Sequence, residues 1–275
     1  MIVKTTRHGI AVKHLVAVGR GQAAEVVRIE RPEKTIVCFS TQVGCAIGCA
    51  FCASGRDGIK SNLTAAQMVL LARCALEDGD AQRPVLFSAM GEGEPSQNAD
   101  ALADAMLAMD RPQARFATST SGPSTRLVAR MLRAFEGARL DVKVQYSLHS
   151  ADAATRRALM PGALAEPRDV LALLAGRRGV ELNVVLWDGV NDAAADAHAI
   201  ADLVDSVATD EPWRLKLNRG NRIDGGLAPA DPAAVAAWTD AARSRGLPVE
   251  AYETDGSAIG AACGQLRHRT LKEAT

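Results

Sequence analysis

The chain has 275 residues, 48% apolar and 23% charged, enough to bury one substantial core and inconsistent with a disordered tail or a small disulfide scaffold. Lys plus Arg and Asp plus Glu each total 32, a formal net charge of zero, so the global basic footprint of a nucleic-acid binder is missing. No run of about 18 or more apolar residues and no apolar leader are found, so neither a membrane span nor a signal peptide is expected, and the chain is expected to be cytoplasmic.

Residues 12–29 alternate apolar and polar side chains around Gly19, Arg20 and Gly21, which predicts a β-hairpin. Beyond it a βα unit repeats. Short β-rich runs at 35–40, 84–90, 115–119, 141–148, 180–187 and 214–218 are separated by Ala- and Leu-rich stretches of helical spacing. Those stretches are 64–76, 100–109, 125–135, 167–174, 193–207 and 232–245. Thr64 is placed to cap the first helix, and Asp192 precedes an alanine-rich one. Six β-then-α units of roughly 30 residues imply a parallel sheet with helices outside, either an open doubly wound sheet or a full or partial barrel. The expected domains are an N-terminal hairpin extension, 1–34, and one catalytic domain, 35–275.

Six cysteines in a chain of this length are too few for a disulfide framework, and four of them, Cys38, Cys45, Cys49 and Cys52, are clustered. Cys74, mid-helix, reads as packed core. The group Cys45-Ala-Ile-Gly-Cys49-Ala-Phe-Cys52 puts three thiols in a short loop after the first parallel strand. Three soft thiolates suit an iron–sulfur cluster or zinc, and three ligands on a four-iron cube leave one iron open for a substrate. The alternative is a structural zinc or closed cluster with Cys38 as fourth ligand. A single CX₃CX₂C group without a distant partner pair counts against a zinc ribbon, and the loop's place at the C-terminal mouth of a βα array favours catalysis.

CX₃CX₂C after a first β-strand resembles the radical-SAM superfamily. Cys38-Phe-Ser-Thr-Gln-Val-Gly-Cys45 and Ala261-Ala262-Cys263-Gly264-Gln265-Leu266, with Gly93-Glu94-Pro95, Ser119-Thr120-Ser121-Gly122, Ser147-Leu148-His149 and Val190-Asn191-Asp192 between them, resemble the RlmN/Cfr family of radical-SAM RNA adenine methyltransferases in order and spacing. The resemblance runs from about Gly9 to Leu266. It implies a partial (β/α)6 TIM-like barrel of the radical-SAM type with an N-terminal β-hairpin extension. It also implies a [4Fe-4S] cluster on Cys45, Cys49 and Cys52, S-adenosylmethionine chelated by the open iron, and an external electron donor such as a flavodoxin-type reductant.

By the same resemblance, Cys263 would accept a methyl group from one S-adenosylmethionine. A 5′-deoxyadenosyl radical from a second would abstract hydrogen from that methyl, and the carbon radical would add to an sp² carbon, adenine C2 or C8 in rRNA or tRNA. Glu25 would take the proton from the adduct, and Cys38 would release the enzyme by pairing transiently with Cys263. Gly93, Glu94, Ser119, Ser147, Leu148, His149 and Asn221 match positions contacting S-adenosylmethionine. Read without the resemblance, Glu25 is a solvent-facing strand residue and the Ser, Asn and Gly positions are turn formers.

The sequence also departs from the family. Its members usually carry an N-terminal helical domain, and a short form without it is expected here. Arg219-Gly220 replaces the Pro-Trp before Asn221, Tyr252 and Asp255 occupy basic positions, and Glu92 stands where an apolar residue is usual. Fewer cations weaken phosphate attraction, so RNA remains the family-default partner with a reduced grip, carried by a rim of Arg56, Lys60, Arg219, Arg222, Arg267 and Arg269. The alternatives are the same two-cysteine chemistry on a nucleotide, other small molecule or peptide, and a non-catalytic iron–sulfur or zinc RNA-binding module.

Overall fold

The chain opens on three antiparallel strands, β1 (Ile2–His8), β2 (Ala11–Gly19) and β3 (Gln22–Glu30), the last pairing antiparallel with β4 (Thr35–Phe39). The computed structural model describes residues 1–76, 83–163, 165–223, 225–252, 255–262 and 264–266. After β4 a two-residue strand β5 (Gln42–Val43) pairs with β6 (Ser61–Asn62), and this small ladder brackets the cysteine loop. Helix and strand then alternate: α1 (Ala65–Leu76), β7 (Val85–Ala89), α2 (Ala99–Met109), β8 (Ala114–Thr120), α3 (Thr125–Gly137) and β9 (Val142–Ser147). They continue with α4 (Ala153–Leu159), α5 (Pro167–Leu174), β10 (Val180–Leu186), α6 (Ala194–Asp205), β11 (Leu215–Arg219), α7 (Pro232–Ser244) and β12 (Val249–Tyr252).

The main sheet has ten strands in the order β1-β2-β3-β4-β7-β8-β9-β10-β11-β12, and every pairing from β4 onward is parallel. The fold is therefore α/β with a parallel sheet, as the βα alternation predicts. Two strands extend the expected pattern. β1 turns the N-terminal hairpin into a three-stranded sheet, and β12 adds a seventh parallel strand; at four residues it is too short to give a period-two signal. Helix α4 was also not expected: its two arginines obscure the apolar face, while Asp152 caps it by accepting from Thr155 N at 2.7 Å.

Strand side chains alternate between faces, and the two faces of the parallel sheet differ in chemistry. Val37, Phe39, Phe87, Tyr146, Leu182 and Leu217 turn outward into one core with Leu102, Met131 and Trp238 from the helices. Each large apolar side chain so buried contributes about 1.5–3 kcal/mol. The other face carries Cys38, Ser119, Gln145, Ser147, Asn183 and Asn218, which line cavities.

Local signals act as expected at α1. Thr64 Oγ1 accepts from Gln67 N at 3.2 Å while Gln67 Oε1 accepts from Thr64 N at 2.8 Å, a reciprocal cap. At α6 the capping differs from expectation. Asp192 accepts from Gly189 N at 3.1 Å and closes a turn, and Asp196 reaches back to Ala193 N at 3.0 Å. No described helix is long and apolar enough to cross a membrane.

Candidate active site

The cysteine loop is held by its neighbours before any metal is considered. Ala50 N donates to Leu159 O at 2.9 Å and Gly162 N to Ile47 O at 2.9 Å, so the end of α4 lies along the loop. The approach is close enough to require glycine: a Cβ at Gly162 would stand 2.7 Å from Ile47 Cα. Cys45, Cys49 and Cys52 all face one cavity of about 160 Å³.

Burial pushes the Cys45 thiol up to about 12, with the nearby Cys52, Glu94 and Glu92 adding to the effect. Burial likewise drives Cys49 well above the ordinary thiol value, reinforced by Cys52 and Cys45, and raises Cys52. Three converging thiols, Cys45 buried and Cys49 and Cys52 half-buried, that resist ionisation call for a strongly cationic partner that accepts thiolates. No group of three or more His, Cys, Asp or Glu among the described residues gathers tightly enough for a single metal ion. Cys38 is not among the residues lining the cavity that Cys45, Cys49 and Cys52 share, which counts against a four-cysteine zinc site. Thiols spread around a common cavity fit the corners of an iron–sulfur cube.

Gly93, Glu94, Ser119, Ser147, His149 and Asn221 line the same cavity. Leu148 does not line it with its side chain; it is buried in the main core. Glu94, just past β7, is held by five donors. Its Oε1 accepts from Ser96 N, Ser96 Oγ and Thr120 Oγ1 at 3.2, 2.6 and 2.6 Å, and its Oε2 accepts from Ser121 N and Ser121 Oγ at 2.9 and 2.8 Å. The carboxylate thus ties the end of β7 to the end of β8 while presenting negative charge at the cavity wall.

His149 takes the left-handed conformation, φ 57°. Its Nδ1 accepts from Val185 N at 3.1 Å, which leaves Nε2 carrying the proton in the neutral ring. Burial first, and then Arg156, lower its pKa from 6.5 to about 3, so the ring is neutral at physiological pH. Asn191 fixes this corner by accepting from Trp187 N at 2.9 Å and donating to His149 O and Val185 O at 2.8 and 2.9 Å. The Val190-Asn191-Asp192 block is a structural clamp.

Trp187 accounts for one departure from the family pattern. Its ring stacks on Phe51 with centroids 5.4 Å apart and fills the space that a side chain at 220 would need, since a Cβ there would lie 2.3 Å from the ring. Gly220 accompanies that tryptophan and lets Asn221 keep its place at the cavity.

Glu25 is buried on β3, not solvent-facing. Lys13 Nζ lies 3.2 Å from Glu25 Oε1 and donates to Gly260 O at 3.0 Å. Glu92, also buried, accepts from Glu25 N with Oε1 and from Gly44 N with Oε2, both at 3.3 Å. Burial, with Glu25 nearby as the next cause, raises the Glu92 carboxyl from 4.5 to about 8. In the sequence, Glu92 stands out only as a departure from the family near the mouth, and Lys13 does not stand out. The hairpin register was the available signal, because Leu15 pairs with Glu25 and puts Lys13 on the diagonal.

Cys38 lines a second, larger cavity of about 350 Å³ with Cys52, Ser54, Ala262 and Gly264. Cys52, Met90, Gly91, Tyr252 and Gly264 border both cavities. The C-terminal segment is docked on the cysteine loop: Ala53 N donates to Gly264 O at 2.7 Å and Ser54 Oγ to Leu266 O at 2.6 Å. Arg31 pairs with Asp255 at the rim of the larger cavity. Cys263 lies outside the described residues, as do Arg267 and Arg269; Arg56, Lys60, Arg219 and Arg222 are exposed.

Residues 39–201 match the Radical SAM superfamily model. The chain is 36% identical over 97% of its length, and 78% of the relative's, to a protein of Solidesulfovibrio magneticus named dual-specificity RNA methyltransferase RlmN. It is 32% identical over 96% of its length, and 73% of the relative's, to a probable RNA methyltransferase of Rhodopseudomonas palustris. The crystal structure of a radical SAM methyltransferase from Sphaerobacter thermophilus superposes with a TM-score of 0.86 at 31% identity, covering 97% of this chain and 80% of that one. The chain belongs to the RlmN-like radical-SAM methyltransferases. It is therefore an S-adenosylmethionine-dependent enzyme of a family that carries a [4Fe-4S] cluster, and the thiol cavity is chemically suited to one.

Proposed function

We propose that this radical-SAM enzyme methylates an sp² carbon of an adenine, C2 or C8, in rRNA or tRNA, using Cys263 as methyl carrier. The observation that carries this reading is the shared wall. Residues flanking Cys263 border the Cys38 cavity, and Gly264 borders the thiol cavity as well.

Cys45, Cys49 and Cys52 would hold the cluster, and Gly93, Glu94, Ser119, Ser147, His149 and Asn221 would surround S-adenosylmethionine, with Leu148 anchoring the strand end between Ser147 and His149 in the core. The reduced cluster supplies, with S-adenosylmethionine bound, an electron and hence a hydrogen-abstracting radical. Cys263, as thiolate, displaces a sulfonium methyl, forming a C–S bond as the donor leaves as the neutral thioether. After radical addition of that methyl carbon to the base, the adduct gives up one electron to the donor couple that supplied it and Glu25 accepts the carbon-bound proton, with Lys13 stabilising the carboxylate until then. Cys38, as thiolate, attacks the Cys263 sulfur to form a disulfide; the bond from that sulfur to the methylene carbon breaks with its electron pair on carbon, which takes up a proton and leaves as the methyl group of the freed base. A flavodoxin-type donor in the cytoplasm provides the electron.

The reading is tested on anaerobically reconstituted enzyme, which is expected to form 5′-deoxyadenosine and to gain one methyl mass on the Cys263 peptide. Cys38→Ala is expected to trap a covalent adduct, and mass spectrometry of the trapped material identifies the substrate. An RNA fragment supports the proposal. A free nucleotide or peptide transfers the same chemistry to a small-molecule or peptide enzyme, the alternative favoured by the Arg31–Asp255 pair, which neutralises a rim cation. No methyl on Cys263 after incubation with S-adenosylmethionine removes the mechanism.

A further inference from the structure

The inner face of β10, β11 and β12 carries a polar arrangement that the chemistry above does not use. Asn218 and Tyr252 are register partners on adjacent parallel strands and both line the thiol cavity. Asn218 is 3% exposed, and its Nδ2 has no hydrogen-bond partner among the described residues. Buried side-chain donors are nearly always paired, so an unpartnered amide on a residue that lines a cavity signals an acceptor supplied from outside, reached by a turn of the Asn218 side chain. Tyr252 is oriented by two contacts. Its hydroxyl donates to Asn183 Oδ1 at 3.3 Å, and Lys216 Nζ lies 5.5 Å from its ring centroid. A ring so fixed is a stacking surface.

An amide donor beside a fixed aromatic ring suits a flat heterocycle with an unprotonated ring nitrogen. Asn reads adenine in this way, and aromatic side chains hold bases by stacking. We infer that Asn218 and Tyr252 form a recognition site for a purine-type ring, Tyr252 stacking on it and Asn218 Nδ2 donating to a ring nitrogen. The site rests on the methyltransferase reading for its occupant. Two rings of this chemistry are at hand, the adenine of S-adenosylmethionine and the base that receives the methyl group. Tyr252 borders both cavities, and so is placed to serve either.

The test uses cluster-loaded protein under anaerobic conditions and three probes: S-adenosylmethionine, adenosine 5′-monophosphate and uridine 5′-monophosphate, whose ring lacks an unprotonated nitrogen. Asn218→Leu and Tyr252→Leu are each expected to weaken an adenine probe by about tenfold, the scale of one lost hydrogen bond or stack. Tyr252→Phe, which keeps the ring, is expected to bind nearly as wild type, and uridine 5′-monophosphate to be bound poorly throughout. Weakening of S-adenosylmethionine alone assigns the ring to the cosubstrate, and weakening of adenosine 5′-monophosphate alone assigns it to the acceptor. Both support the site. Asn218→Leu is also expected to unfold no earlier than wild type, because its donor has no partner to lose; a purely structural role would destabilise the variant. Unchanged binding of both adenine probes in both leucine variants overturns the inference, as does a wild type that binds neither. Absence of 5′-deoxyadenosine in the wild type would instead count against the methyltransferase reading, while the adenosine 5′-monophosphate arm still tests the site.

Discussion

Glu92→Gln is expected to reverse its effect on stability across the neutral pH range. Glu92 is buried with its carboxyl raised from 4.5 to about 8, by burial first and by Glu25 second. A raised folded-state value means that native protein binds the proton more tightly than unfolded chain. The contribution is therefore complete below about 4.5 and is lost progressively as pH rises to about 8. At about 1.4 kcal/mol per pKa unit, the wild type loses roughly 3 kcal/mol between about pH 5.5 and about pH 8.5 from this group. Glutamine carries no such titration, but it has a second penalty. Both Glu92 oxygens accept backbone N–H groups, from Glu25 and Gly44, and an amide NH₂ in place of one oxygen leaves a buried donor unmatched, costing about 1–3 kcal/mol at every pH. The variant is thus expected to be equal to or less stable than wild type near pH 5.5 and more stable, by on the order of 2 kcal/mol, near pH 8.5. Urea denaturation of both cluster-free proteins under reductant measures the difference, in which the cysteine titrations common to both proteins cancel. Parallel stability curves, with a gap that does not change with pH, would refute the account of Glu92.

Other substitutions test the packing that shapes the site. Gly162→Ala would put a methyl group 2.7 Å from Ile47 Cα and is expected to reduce iron bound per chain on reconstitution; full loading would show that α4 does not shape the thiol loop. Gly220→Ala collides with the Trp187 ring at 2.3 Å and is expected to cost about 1–3 kcal/mol, with partial recovery in the Gly220→Ala, Trp187→Leu double variant; additive losses would argue against a shared space. Asn191→Ala leaves Trp187 N and two carbonyls without their partner and is expected to lose about 3 kcal/mol in denaturation. A loss below about 1 kcal/mol would mean that water replaces the clamp.

Much of this architecture is legible in the residues. The period-two runs and helical stretches locate the six central strands and six of the seven α-helices among the described residues, because burial on the outer face imposes the apolar pattern directly. Elements set by something else are not. β12 is only four residues long, and α4 is specified by its Asp152 cap more than by an apolar stripe. The thiol loop is legible because metal ligands leave a spacing. The placement of Glu25 is not, since a buried glutamate on a strand reads like an exposed one until Lys13 and Glu92 are brought to it by strand pairing. Gly220 reads as a departure from the family and becomes intelligible only beside Trp187, which lies 33 positions away in the sequence.

The docking of the C-terminal segment also orders events in time. Its ties to the rest of the fold join residues 212 positions apart at Ser54 and Leu266, 224 at Arg31 and Asp255, and 247 at Lys13 and Gly260. Contacts of such separation close the largest loops and form late, and these residues also leave the ribosome after the thiol loop and the strands that carry it. The thiol loop and the strands that carry it can fold while this side is still open, giving an inorganic cluster an unobstructed route in. The wall between the two cavities is completed only when this later stretch of chain arrives, so the finished site closes over its cargo as a door hung after the room is furnished.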